Sequence, residues 1–423
     1  MPSPQVARAS KCFESGVSGQ LGTASDSQLT GTRTRRRLLI FEPDAEGHSL
    51  EWLQHLIAFA DSGTELFILA AAPLCEALAR MLPAGAPVHL LSLGRWERRL
   101  CLQRPLPIAA FARWWTMRRY LRRTGADTGF FLMLDLQSLP FALGLGMDGR
   151  RVSGILFRPS VHYGEIGPYV PDSAERRRDR RKEMLYRRML ANPAVDRVLS
   201  LDPFFPAYAR THYRHGAKVD AVPDPVHPPV AAATTVESAP DGRVGFLLFG
   251  YLAERKGPLA VLDALALLPP GTARRVAVRF AGKVDPGLRY AIDQRCRALE
   301  TSHPELWLRI DDRRLTSGEL ATLVDRSDVV LAPYQRFVGS SGVLLWAARA
   351  GRPVLAQDFG LIGKLTRDNR LGIAVDSGNI EQLAHEIVRM VDCGPATFID
   401  RPAAARFVAA QTPQRFASLV LSV

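Results

Sequence analysis

Short apolar runs alternate with amphipathic stretches from about residue 36 onward. The runs Leu38–Phe41, Leu66–Ala70, Val88–Leu93, Phe130–Leu136, Val152–Phe157 and Arg197–Leu201 have the length and aliphatic content of buried strands. Between them, Leu50–Ala60 and Phe111–Arg123 repeat apolar residues at helical spacing. Such alternation predicts βαβ units around a parallel sheet. The stretch Val222–Gly242, rich in Pro, Ala and Thr, has no period and is expected to connect two domains. The alternation then restarts. Strands are predicted at Val244–Phe249, Val276–Ala281, Leu306–Ile310, Val329–Ala332, Val354–Gln357 and Ile373–Val375. Helices are predicted at Pro258–Leu268, Gly287–Leu299, Ser317–Val324, Ser341–Ala350 and Ile380–Val391. The expected class is α/β, with two doubly wound domains in series and a ligand in the cleft at the carboxyl ends of their strands. The division is 1–34, a disordered tail rich in Ser, Thr, Gly and Arg; 35–221, the first domain; 222–242, the connection; 243–400, the second domain; and 401–423, a terminal helix packing back across the domains.

Two places stand out as anion sites. Gly339-Ser340-Ser341-Gly342 lies between the run Val329–Ala332 and the periodic segment that starts at Val343. Free N–H groups and the positive dipole end of a helix favour a phosphate there. The segment FGYLAERKG, Phe249 to Gly257, follows the first strand of the second domain. Gly250 permits close backbone approach, and Lys256 stands just before a helix start at Gly257-Pro258, where it could neutralise a diphosphate.

Charge and cysteine content narrow the setting. The net charge of +13 points to an anionic substrate, an anionic membrane surface or nucleic acid. The segment Ala174–Leu190 carries eight basic residues on one predicted helix, and its Arg176–Arg188 part is the candidate contact for an anionic membrane. A shorter relative, FARWWTMRRYLRR from Phe111 to Arg123, interleaves Trp114, Trp115 and Tyr120 with arginines. No nucleic-acid motif accompanies these charges, so a nucleic-acid partner is not expected. The five cysteines form no CxxC pair and have no histidine cluster, which argues against structural zinc and a disulfide scaffold and fits a reducing cytoplasm. A peripheral position on the inner face of a plasma membrane is compatible with both features.

The second domain resembles the donor domain of a GT-B glycosyltransferase of family 4, also called group 1. The resemblance rests on FGYLAERKG, RFAGKV (Arg279–Val284), RRLTSGEL (Arg313–Leu320), DRSDVVLAPYQ (Asp325–Gln335), GSSGVLLWAARAGRPVLA and LGIAVDSGNIEQLAHEI (Leu371–Ile387), in that order. It implies a GT-B fold of two Rossmann-like domains. It implies transfer of a sugar, with retention of configuration, from a nucleotide-diphosphate donor to an acceptor hydroxyl. No cofactor and no obligatory metal are expected, and the acceptor class is a surface polysaccharide or lipid-linked glycan. By the resemblance, Gly250, Lys256, Gly339, Ser340, Ser341 and Gly342 would hold the diphosphate. Arg313, Arg314 and Leu315 would border the nucleobase.

The motif also departs from the family. An arginine usually follows the first glycine, and here it is Tyr251. Two glutamates usually flank the glycine-rich turn, and Val338 and Trp346 occupy their places. Trp346 would then meet the ribose. These departures keep open a GT-B-like protein that binds a nucleotide or glycan without turnover. A dinucleotide-dependent oxidoreductase is disfavoured, because EPDAEGH rather than GxGxxG follows the first strand.

The first domain offers four catalytic candidates. His48, in EPDAEGHSLEWLQHL, precedes a helix and is either an acceptor contact or a cap. Family members often place a functional histidine just after the GILF strand; here Arg158 is nearest that place and His162 lies four residues on. Asp135 ends the FLMLDLQ run as a base, a hydroxyl anchor or a cap.

Overall fold

The structure is a computed structural model that describes residues 35–45, 49–82, 85–168, 170–225, 242–339 and 341–423. The expected disordered tail (1–34), His48, Ser340 and most of the connection (226–241) lie outside the described residues.

Seven strands make the first sheet: β1 Arg36–Glu42, β2 Thr64–Ala70, β3 Val88–Ser92, β4 Thr128–Phe131, β5 Arg151–Leu156, β6 Val195–Ser200 and β7 Val219–Ala221. All pair in parallel, in the order β3-β2-β1-β4-β5-β6-β7. Six more make the second: β8 Val244–Phe249, β9 Val276–Ala281, β10 Trp307–Asp311, β11 Val329–Ala332, β12 Val354–Gln357 and β13 Gly372–Val375. Their order is β10-β9-β8-β11-β12-β13, again parallel throughout. Each sheet reverses its winding beside its first strand, between β1 and β4 and between β8 and β11. A doubly wound sheet opens a crevice at such a point, outside the carboxyl ends.

Helices cover both faces of each sheet, which explains the near-continuous apolar strands. In β1, Leu38 and Ile40 join one core with Trp52, Leu53 and Leu56. Leu39 and Phe41 point the other way, into a core with Met117, Tyr120 and Phe131. The second sheet alternates in the same manner: Phe246 and Leu248 enter one cluster, Leu247 and Phe249 the other.

Two details differ from the pattern read in sequence. The run Phe130–Leu136 continues the strand only to Phe131; its end turns through a short 3-10 helix, Asp135–Gln137. The Leu134 amide leaves the ladder direction to reach Ile155 O (2.7 Å), and Asp135 takes amides from the next loop. The chain end holds two helices rather than one. Arg401–Ala409 packs on the second-domain helix Val343–Arg349. Pro413–Leu421 crosses to the first domain, where Phe416, Ala417 and Val420 enter the core with Leu38 and Ile40. The Phe416 and Trp52 rings lie 5.0 Å apart.

Among the described residues, no helix is long and apolar enough to cross a membrane.

Candidate functional site

The carboxyl ends of the two sheets face each other across a cavity of about 580 Å³. The first domain contributes Glu42 and Asp44 after β1, Met133 after β4, and Phe157 and Arg158 after β5. The second contributes Phe249, Gly250 and Tyr251 after β8, then Arg255 and Lys256, Tyr334 and Phe337 after β11, and Ser341, Gly342 and Trp346.

Lys256 sits in the short turn Glu254–Lys256 and is buried, with its ammonium donating to Phe249 O at 2.8 Å. The same group lies 5.2 Å from the Tyr334 ring centre. Gly250 leaves space for it: the residue has φ of 97°, and a Cβ there would come within 2.9 Å of Lys256 Nζ. A side chain at Gly250 would therefore carry backbone strain and push the cation aside.

Two guanidinium groups add to this charge, one from each domain. Arg158 lies 4.9 Å and Arg255 5.1 Å from the centre of the Phe337 ring. Desolvation, and next the charge of Arg255, holds Arg158 below its ordinary pKa. Gly339 backs Arg158 closely: a Cβ there would stand 3.3 Å from Arg158 Cγ. The glycine-rich turn thus provides the space in which a first-domain arginine meets the second domain. Ser341 is held by Tyr334, its Oγ 2.6 Å from the phenol oxygen. Lys256, Arg255 and Arg158 together form a cationic wall beside the second domain, suited to a diphosphate.

The opposite wall carries a carboxyl group. Glu42 ends β1, is buried, and accepts the Asp44 amide at 2.8 Å. Burial raises its pKa to about 7, against the pull of that amide and of Arg113. A group that titrates near neutral pH can hold or exchange a proton with a hydroxyl.

The sequence candidates fall in different places. Arg158, Gly250, Lys256, Ser341, Gly342 and Trp346 line the cavity. Gly339 stands behind Arg158 rather than on the wall. Asp135 does not line the cavity: its carboxylate accepts the amides of Phe157 (2.8 Å) and Arg158 (3.3 Å), in the loop that presents Arg158. Its pKa is raised by burial, while Lys182 nearby pulls it down. His162 does not line the cavity either. It is only 3% exposed, packs among the Tyr163, Phe205 and Tyr208 rings, and bonds Asp202 at 2.7 Å. The loop Ser160–Glu165 winds as a 3-10 turn and swings the imidazole inward. Arg313, Arg314 and Leu315 do not line the cavity. Arg313 bonds Glu319 at 2.6 Å, and Leu315 packs at the edge of the second-domain core. Leu320, on the helix this segment leads into, reaches the cavity instead.

Sequence reasoning missed Glu42 and Arg255. A carboxylate ending an otherwise apolar strand was the available signal for Glu42. Arg255 adjoins Lys256 within the motif already singled out. Val338, where the family carries its first glutamate, packs beneath Gly360, whose Cβ would meet Val338 Cα at 2.7 Å.

The chain is similar to known proteins in part of its sequence and in its fold. Residues 243–393 match the family described as "Glycosyl transferases group 1". Among curated proteins, none matches the sequence. Solved structures resemble it over nearly the whole chain. Sucrose-phosphate synthase from Thermosynechococcus elongatus has a TM-score of 0.63 at 16% identity, covering 92% of this chain and 98% of that one. Anabaena HepE in complex with UDP and glucose has a TM-score of 0.60 at 14% identity, covering 92% and 99%. A UDP-forming trehalose-phosphate synthase from Burkholderia xenovorans has a TM-score of 0.61 at 13% identity, covering 92% and 98%. At such identities the likeness establishes the fold. With the family match it leads to one conclusion: the chain has the GT-B fold of two Rossmann-like domains, and residues 243–393 of its second domain match the group 1 glycosyl transferases.

Proposed function

We propose that the protein moves a hexosyl group from a nucleoside-diphosphate sugar to an acceptor hydroxyl, with retention of configuration and without a required metal. The observation that carries this reading is the convergence of Lys256, Arg255 and Arg158 beside the Ser341-Gly342 turn, in a cavity between carboxyl strand ends. As the sugar–phosphate bond breaks, negative charge builds on the departing diphosphate. Fixed cations and turn amides stabilise that charge more in the transition state than in the ground state. The three basic side chains supply a countercharge that a metal ion would otherwise provide. Trp346 offers a flat face to the nucleoside, and Leu320 an apolar edge. The acceptor would approach from the first-domain side, where Glu42 and Asp44 can bind its hydroxyls. A growing surface polysaccharide or lipid-linked glycan at the cytoplasmic face fits the basic character of the chain.

Calorimetric titration with UDP and GDP tests the donor side. Binding of one of them is expected, weakened at least about tenfold by Lys256→Ala, the range for losing a charge-assisted contact. A folded protein that binds neither nucleotide would overturn the reading. Val338 and Trp346 in place of two carboxylates support a second reading, in which the site binds donor without turnover. Absence of both donor hydrolysis and transfer, with nucleotide binding intact, would favour it.

A further inference from the structure

Large apolar side chains that remain exposed are concentrated in one short segment. Of the fifteen such residues in the described structure, seven fall between Trp96 and Trp115: Trp96, Leu100, Leu102, Leu106, Ile108, Phe111 and Trp115. They belong to two helices, Arg95–Leu102 and Leu106–Thr124, that pack against each other in the first domain. Trp96 is 74% exposed and Trp115 52%. On the second helix, Ile108, Phe111 and Trp115 follow the i, i+3, i+7 spacing of a single face, opposite buried Ala109, Arg113 and Met117. On the first, Trp96 and Leu100 lie one turn apart, away from buried Cys101.

The charge around these residues is mostly basic, although Asp148 pairs with Arg118 and Arg122 and Glu97 with Arg119. Residues 95–124 contain nine arginines, no lysine or aspartate, and a single glutamate, Glu97. Arg99 lies 5.6 Å over the Trp96 ring, and Arg118 5.9 Å over Trp115. Exposed tryptophan and aliphatic tips framed by arginines match an anionic bilayer surface, where indoles settle at headgroup level and guanidinium groups meet phosphates.

The helix expected from sequence to serve this purpose lacks the apolar half of that combination. Along Ser173–Ala191 the only exposed large apolar side chain is Met184. Its amino end is moreover tied to the second domain, with Arg336 bonding Glu175 at 2.7 Å and Asp172 at 3.2 Å.

We infer that the helix pair Arg95–Thr124 is a membrane-docking face for anionic phospholipid. Its position ties docking to the cavity. Arg98 donates to Pro43 O at 3.4 Å, directly after Glu42, and buried Arg113 faces Glu42 from the second helix. A bilayer on this face would lie beside the wall assigned to the acceptor. That last step rests on the transfer reading; the docking itself does not.

Vesicle flotation of the full-length protein, without donor or acceptor, tests the inference. Vesicles of phosphatidylcholine alone are compared with vesicles holding about one-third phosphatidylglycerol. Binding is expected on the anionic vesicles and at least about tenfold weaker on the neutral ones, since each arginine near the surface adds roughly fivefold. The variant W96S/F111S/W115S should lose about tenfold or more of the anionic binding while keeping its circular dichroism. The variant R177E/R181E/R188E, on the other basic helix, should change it less than about threefold. Equal binding of wild type and W96S/F111S/W115S would overturn the assignment, as would loss confined to the R177E/R181E/R188E variant. If the wild type ignores both vesicles and W96S/F111S/W115S converts a dimer to a monomer, the face joins copies of the chain and the inference fails.

Discussion

Replacing Glu42 by glutamine should abolish a specific pH dependence of stability. The folded protein holds this carboxyl at about 7, whereas an exposed glutamate ionises at 4.5. The rise of roughly 2.5 pH units corresponds to about 3 kcal/mol, at about 1.4 kcal/mol per unit. The sign follows from proton uptake. Between pH 4.5 and 7 the folded state keeps the proton that the unfolded state gives up, so stability falls as pH rises. Below that window the stabilisation is fully present; above it, it has been lost. About 2.5 kcal/mol of the change lies between pH 5 and 8. The glutamine side chain cannot ionise, yet its amide oxygen can still accept the Asp44 amide. The Glu42→Gln variant should therefore resemble wild type near pH 5 and be the more stable of the two at pH 8. For a unit of 150–250 residues, a difference of this size is roughly 5–10 °C in Tm. Thermal melts of both proteins across pH 5–8.5, followed by circular dichroism, make the measurement. Parallel curves for the two proteins would refute the claim that burial holds Glu42 neutral.

Other changes test the site and its supports. Gly250→Ala should weaken nucleoside-diphosphate binding about as much as Lys256→Ala, because the new methyl competes with the ammonium for space; calorimetry would show this, and unchanged affinity would contradict the geometry. His162→Asn should lower Tm, because removing one partner of a buried hydrogen bond to Asp202 costs about 1–3 kcal/mol, and leave nucleotide affinity within about threefold. A large affinity loss in a folded His162→Asn protein would return His162 to the site. Phe416→Ala should destabilise the first domain by about 3–5 kcal/mol, seen as a lower unfolding midpoint in urea, although the residue lies near the chain terminus.

Much of the framework was legible because it depends on local pattern. A strand covered by helices on both faces must be apolar along its length, so β1, β2, β8, β9 and β11 could be read as runs. Gly250 was legible for a related reason: a turn at a strand end needs a residue free to take φ of 97°, and Lys256 follows in the same motif, its ammonium donating to Phe249 O. The choice between Arg158 and His162 was not legible. Both follow the same strand within four residues, and only the winding of Ser160–Glu165 turns one outward and the other inward. Asp135 was equally ambiguous, since any strand-end carboxylate can cap a loop or face a ligand.

The sequence alone therefore determined the α/β alternation and the two sheets, because covalent neighbours and their periodicity set these. Tertiary structure decided which charges meet and which apolar groups stay wet. Arg158 and Arg255 come from different domains and converge on Phe337 only when the cleft forms. Glu42 becomes a near-neutral acid because residues distant in sequence exclude water from it. Two arginine-rich segments stood out in sequence, yet packing left Trp96 and Trp115 exposed on the helix pair Arg95–Thr124 and a mostly charged surface on Ser173–Ala191. Desolvation and exposure are properties of the packed surface, and no window of sequence contains them.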